Sequence, residues 1–391
     1  MKNKKTGKTA TVFMSWFVYV LIFFEMIYMA TPFAFFFYAV YGIPLKALNA
    51  NQHTFWLIQP IFPHFSQTKD LLLNLLFIIA FPLMGIGFVI FLIGFIQIYW
   101  AKFTRKSAVL SGIYKYIRHP QYVGWSLFGF GMAIIWSRMI VWLMYVTMLF
   151  IYYLLAKSEE NECRDKFGES YEKYRNKTGM FFPKIFKRQK LTMGKGQLGK
   201  DVPKIGVTLV LYCVFILSTA GFGSFLRNYT INKLSTYSEN NYTVLSTTVT
   251  ESAKMKLLIG TVLNNEQVQK KINGAIDLDK DKMVIYILPR SWNVSELGIN
   301  LDEPHQRHNG PHFLRKPSAH GNITDKQEEI KKIIISAAVT TEDAYGLDIL
   351  KQCRRQIPKL IVHINAKTNK IDQIINPPAE GKYKDIPVPM Y

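Results

Sequence analysis

Cysteine is scarce. The chain has three in 391 residues, and one of them, Cys213, lies inside an apolar run, which excludes a disulfide framework. Acidic side chains are few as well, 27 against 48 lysines and arginines, for a formal charge of +21. Charged residues make up 19% and hydrophobic residues 49%, which argues against a disordered or fibrous chain. No internal repeat is present. The N-terminal region has neither the short apolar stretch nor the small-residue cleavage site of a secretory signal. Much of the positive charge flanks apolar segments, where cytoplasmic anchoring explains it better than nucleic acid does, so no nucleic-acid partner is expected.

The apolar residues crowd into the first 160 positions and one stretch near 210, the pattern of a membrane protein with a soluble part attached. Lys2, Lys4, Lys5 and Lys8 precede an apolar stretch over residues 11–41, read as a spanning helix bent near Pro32. Residues 42–70, with His53, Trp56, Pro60 and Pro63, read as an outer loop carrying an interfacial aromatic patch. A second span over residues 71–99 ends at Lys102, Arg105 and Lys106, which places that end in the cytoplasm. Two shorter apolar segments, 122–136 and 139–156, are separated only by Ser137 and Arg138 and predict an antiparallel helical hairpin. Residues 184–204 carry seven lysines and arginines against one acid, Asp201, so a fifth span at 205–225 starts inside and sends residues 226–391 outside.

The expected fold is therefore an α-helical polytopic membrane protein of five spans with a C-terminal extracytoplasmic α+β domain. Within that domain 282–288, 333–339 and 360–365 read as strands, and 265–272, 325–332 and 342–352 as helices. A loop with His305, His308, His312 and His320 also holds prolines and glycine; such histidines are usually exposed, and no metal site is expected. Sequons begin at Asn228, Asn241, Asn293 and Asn322.

Two blocks could carry chemistry. The first runs Ser111-Gly-Ile-Tyr-Lys-Tyr-Ile-Arg-His-Pro-Gln-Tyr-Val-Gly124. Pro120 suits the first turn of a helix, which puts Arg118 and His119 at the helix entrance, where free amides and the dipole favour an anion. The same residues also suit a plain membrane interface. The second block holds Glu159-Glu160, Cys163, Phe167-Gly168, Tyr171 and Tyr174 and closes at Pro183. Adjacent carboxylates fit a cationic or hydroxyl-bearing ligand, although six acids and six bases alternating over 157–177 also suit a solvated helix end. Brought to one membrane face, the two blocks could hold a zwitterion.

Arg118-His119-Pro120-x-Tyr122-x-Gly124, the paired helices, Glu159-Glu160, Phe167-Gly168-x-x-Tyr171-x-x-Tyr174 and Pro183 together resemble the isoprenylcysteine carboxyl methyltransferase and phospholipid methyltransferase superfamily over about residues 71–183. The resemblance implies S-adenosylmethionine held at the cytoplasmic membrane face beside an opening to lipid. It implies a cofactor site of Gly85, Gly87, Tyr114, His119, Pro120, Tyr122, Gly124, Glu159 and Glu160, with Arg118, Glu159 and Glu160 as candidate catalytic residues. Ile113 departs from the proline usual before Tyr114. The run Gly179-Met180-Phe181-Phe182 lacks the basic residue that members often carry before the closing proline. The expected partners are the bilayer and a hydrophobic or lipid-like methyl acceptor.

The block also resembles membrane sterol-type reductases, which bind NADPH, through Glu162-Cys163-x-x-Lys166-Phe167-Gly168. Only two spans precede it here, and Glu159-Glu160 fits the methyltransferases better. A third reading makes the outer domain the working part, a ligand sensor anchored by the helices or modulating them.

Overall fold

The computed structural model describes residues 43–63, 66–104, 109–184, 205–274, 276, 281–290 and 329–377. The expected first span at 11–41, most of the basic segment 184–204, the histidine loop and two of the sequons lie outside them. In chain order the helices are α1 (Ile43–Ala50), α2 (Leu71–Phe103), α3 (Pro120–Ile135), α4 (Met139–Phe167), α5 (Glu169–Lys177), α6 (Ile205–Lys233), α7 (Ser252–Leu263), α8 (Glu266–Ile272) and α9 (Asp348–Gln352). The strands are β1 (Ser235–Glu239), β2 (Tyr242–Ser246), β3 (Met283–Pro289), β4 (Ile330–Thr340), β5 (Cys353–Asn365) and β6 (Lys370–Ile375).

Three of the helices, α2, α4 and α6, are long and apolar enough to cross a membrane. The chain is an integral membrane protein. The 16 residues of α3 reach only about 24 Å, short of the roughly 30 Å hydrocarbon core. The charged residues 157–167 follow the apolar segment as a continuation of α4, because no glycine or proline interrupts them before Gly168.

The chain divides into two compact units. The first holds residues 77–136 and 140–222. In it α2 and α3 cross at backbone contact. A Cβ on Gly87 would stand 2.6 Å from the Gly124 carbonyl oxygen, and one on Gly124 would stand 2.5 Å from the Phe91 amide nitrogen. Alongside, α3 and α4 share an aromatic seam, from Tyr122 stacked on Tyr152 at 4.8 Å to Phe130 edge-on to Trp142 at 5.6 Å.

The second unit is built on one six-stranded sheet in the order β1-β2-β3-β4-β5-β6. Only β2 and β3 run parallel, and α7 and α8 make the crossover that a parallel pair requires. They cover one face, burying Met255, Leu258, Val268, Ile285, Ile333 and Val362. The other face buries Ile231, Leu234, Tyr286, Ile334, Ile349 and Ile361. Covered on both sides, β3 reads as a continuous apolar run.

Residues 42–70 belong to this unit. Phe55, Ile58, Ile61 and Phe62 are buried, the Arg354 guanidinium donates to the Asn49 carbonyl at 2.6 Å, and the Gln67 amide donates to the Thr247 carbonyl at 2.9 Å. The segment is thus a packed part of the sheet domain as well as a loop. Two expected helices are corrected. Residues 330–332 open β4, where Lys331 and Lys332 pair with β3 on one side and β5 on the other, and 342–352 shrinks to α9.

Candidate functional site

His119 caps the entrance of α3, with Pro120 at the first helical position as the sequence suggests, and its side chain makes no cap hydrogen bond. Two backbone contacts hold this entrance from outside the helix. The Arg118 amide donates to the Gly179 carbonyl at 2.9 Å, and the His119 amide donates to the Met180 carbonyl at 3.1 Å. The chain can return there because Gly168 takes a positive φ of 52° between α4 and α5, a conformation that glycine adopts without steric cost.

Arg118 is fixed by the same return. Its Nε donates to Glu160 Oε1 at 2.7 Å, and its Nη1 donates to the carbonyls of Arg175, at 3.2 Å, and of Thr178. Both members of the pair are buried, with side-chain exposures of 9% and 5%. Arg118 therefore clamps 175–178 to α4, and its reach toward a ligand is spent on that clamp.

Glu159, one residue earlier on α4, is different. Its side chain is 46% exposed, its Oε2 lies 3.3 Å from His119 Nδ1, and its Oε1 accepts a short hydrogen bond from the Tyr122 hydroxyl. His119 is buried. Its Nε2 lies 3.5 Å from Glu160 Oε1 without a hydrogen bond, and its ring stacks on Tyr122 at 5.7 Å and faces Phe181 at 6.0 Å. Burial pushes the imidazole toward neutrality, but Glu159 and then Glu160 outweigh it and hold His119 above its ordinary pKa.

The sign of the resulting pH dependence follows. A raised histidine pKa contributes stability that is fully present below the unfolded value of about 6.5 and is lost as pH rises through the folded one. Thermal midpoints in detergent should fall with alkalinisation above that point, and His119→Gln should remove this part of the slope. An unchanged slope would show that His119 does not carry it.

Of the other expected cofactor residues, Tyr114 is buried with its hydroxyl on the Gly94 carbonyl at 3.2 Å and its own carbonyl accepting from Tyr174 at 2.7 Å. Burial first, against the Arg118 charge, leaves the Tyr174 hydroxyl pushed up to about 12. Gly87 and Gly124 face each other at the helix crossing, and Gly85 has nothing within 4 Å of the place a Cβ would take. The structure therefore gathers Arg118, His119, Tyr122, Glu159 and Glu160 into one cluster, sets Gly87 against Gly124 at the helix crossing and leaves the Cβ position of Gly85 open. Sequence reasoning missed Thr178, Tyr152 and Phe181. Thr178 offers Arg118 its carbonyl and, at 3.4 Å, its hydroxyl, a contact any threonine could make, and the other two are ordinary aromatic positions, so no residue-type signal marked them. Among the described residues no group of histidine, cysteine or carboxylate side chains is placed to hold a metal.

Comparison with known proteins falls on the segment that builds this cluster. Residues 75–170 match the family described as phospholipid methyltransferase. This segment is a phospholipid methyltransferase domain. Over 127 residues the chain is 32% identical to the methanethiol S-methyltransferase of Crocosphaera subtropica, covering 28% of this chain and 49% of that protein. Over 78 residues it is 33% identical to the protein-S-isoprenylcysteine O-methyltransferase of Schizosaccharomyces pombe, covering 20% of this chain and 33% of that protein. The chain thus spans about half the length of the first relative and a third of the second. No solved structure matches. The phospholipid methyltransferase domain takes in Arg118, His119, Tyr122, Glu159 and Glu160, whereas Arg175 and Thr178, which lock Arg118, lie just beyond it.

Proposed function

We propose that the chain is an integral-membrane methyltransferase that uses S-adenosylmethionine and transfers its methyl group to a hydrophobic or lipid-like acceptor at the cytoplasmic face. The observation that carries this is the half-exposed Glu159 carboxylate beside buried His119 at the entrance of α3, inside the methyltransferase domain. The residues fit such a group. Glu159 offers an acceptor for an ammonium charge, and His119 Nε2 is a buried polar atom without a hydrogen-bond partner. Uncapped amides in the first turn of α3 suit a carboxylate.

When bound, S-adenosylmethionine supplies an already activated methyl group, so the protein's work is proximity, alignment and exclusion of water. Glu159 binds and orients. The Arg118–Glu160 pair fixes the loop 175–180 against the entrance, and Phe181 and the stacked Tyr122 and Tyr152 rings keep it dry. An acceptor that must lose a proton finds its nearest base in Glu159, whose Oε1 already takes a hydrogen bond from Tyr122.

The topology that accompanies this reading has five spans with 11–41 as the first, α3 and α4 as a hairpin, and the sheet domain outside. It is supported by the cations at 102–106 and 184–204, which favour a cytoplasmic side for the end of α2 and the start of α6.

The test is equilibrium binding of radiolabelled S-adenosylmethionine to the full chain in detergent, with NADPH as competitor. Saturable binding indifferent to NADPH is expected. Folded protein that binds NADPH instead, or neither ligand, would sink the proposal.

A further inference from the structure

The spacing His119-x-x-Tyr122 sets two rings on one face at the start of α3, since residues three apart on a helix are neighbours. They stack at 5.7 Å with an interplanar angle of 13°. On α4, Tyr152, Ala156 and Glu159 follow at the i, i+4, i+7 spacing that keeps one stripe of a helix. Tyr152 also stacks on Tyr122, at 4.8 Å and 17°. Ala156, fully buried in the same cluster, puts only a methyl group between Tyr152 and Glu159 on that stripe. Glu159 ends the stripe, and its Oε1 accepts the short hydrogen bond from the Tyr122 hydroxyl.

Packing does not call for that hydroxyl. A phenylalanine at 122 would keep both ring stacks, and the carboxylate that the hydroxyl holds is 46% exposed, open to water. Such a carboxylate gains little stability from its partners. Yet both of its oxygens are engaged by buried side chains, Oε1 by Tyr122 and Oε2 by His119 Nδ1 at 3.3 Å. An unheld glutamate in water samples many orientations, and a ligand that binds it must freeze one of them. Glu159 is frozen beforehand and keeps further lone pairs on each oxygen for a ligand.

We propose that Tyr122 is a positioning residue that acts through Glu159: its hydroxyl, with His119 on the other oxygen, fixes the Glu159 carboxylate in the orientation that receives the ammonium group of S-adenosylmethionine. The inference rests on the cofactor reading above for what Glu159 binds. The stacked rings of Tyr152, Tyr122 and His119 supply the rigidity, and the phenol oxygen supplies the aim. The cofactor's charge falls to Glu159, and Tyr122 contributes by where it holds that carboxylate.

The experiment compares Tyr122→Phe with wild type in the full chain in detergent. The unfolding midpoint should stay close to that of wild type, and radiolabelled S-adenosylmethionine should bind roughly 3- to 10-fold more weakly, the range of one ordinary hydrogen bond. In a Glu159→Ala chain the same substitution should weaken binding no further, because the carboxylate it positions is gone. Additive losses would overturn the proposal, since a hydroxyl that merely ties α3 to α4, or that touches the cofactor itself, acts whether or not Glu159 is present. A midpoint that falls as far as that of Glu160→Ala would overturn it too. The second readout needs no ligand. Glu159, then Glu160, holds His119 above its ordinary range, so a Glu159 released to water should let His119 titrate lower. The titration is followed by nuclear magnetic resonance on the ring signal that His119→Gln removes, and a wild-type titration in Tyr122→Phe would count against the positioning. A wild-type chain that binds no S-adenosylmethionine would sink the cofactor reading, and the His119 titration would still decide whether Tyr122 holds Glu159.

Discussion

Glu160→Ala is expected to cost about 3–5 kcal/mol of stability, because it leaves the buried Arg118 guanidinium without its counter-charge. The loss should not stay local. Arg118 Nη1 holds the carbonyls of Arg175 and Thr178, and the same return strand receives the amides of Arg118 and His119 at Gly179 and Met180. With the clamp loosened, the entrance of α3 loses its outer wall, and cofactor binding should disappear together with the thermal midpoint. Glu160→Gln keeps an acceptor for Arg118 Nε and should fall between wild type and alanine. The measurement is thermal unfolding in detergent alongside S-adenosylmethionine binding. A Glu160→Ala protein as stable as wild type would show that the pair holds nothing.

The spans were legible because run length alone decides them: α2 and α6 are apolar for longer than a bilayer is thick. The end of α4 was not, since a charged helix can leave the membrane and continue in water without any change of period. The helix–strand mistake at Lys331-Lys332 has a similar source. Two lysines signal an exposed face, and only the pairing of β4 on both sides reveals that one of them is buried.

Residue types named Arg118, His119, Tyr122, Glu159 and Glu160, which the structure brings together, but not which carboxylate is buried and which is exposed. Positions 159 and 160 lie about 100° apart around a helix. Which of them meets Arg118 depends on how α4 is rotated against α3, and that rotation is set by Tyr122 on Tyr152 and Phe130 on Trp142. The glycines follow the same logic. Residues 85 and 87 cannot share a helix face, so only Gly87 meets α3, at Gly124.

The two carboxylates therefore make opposite predictions, and Glu159→Gln is the sharper. It should leave the unfolding midpoint close to that of wild type, because a half-exposed side chain gives up little on losing its charge and the amide still accepts from the Tyr122 hydroxyl. Binding of S-adenosylmethionine should weaken roughly 10- to 150-fold, the equivalent of the 1.5–3 kcal/mol that a hydrogen bond to a charged group contributes. His119 should titrate lower in this variant, since Glu159 is the stronger of the two carboxylates holding it up. The combination separates recognition from scaffold. If Glu159→Gln instead destabilises the protein as Glu160→Ala does and binds ligand normally, the exposed carboxylate is structural, and recognition must reside at the first turn of α3.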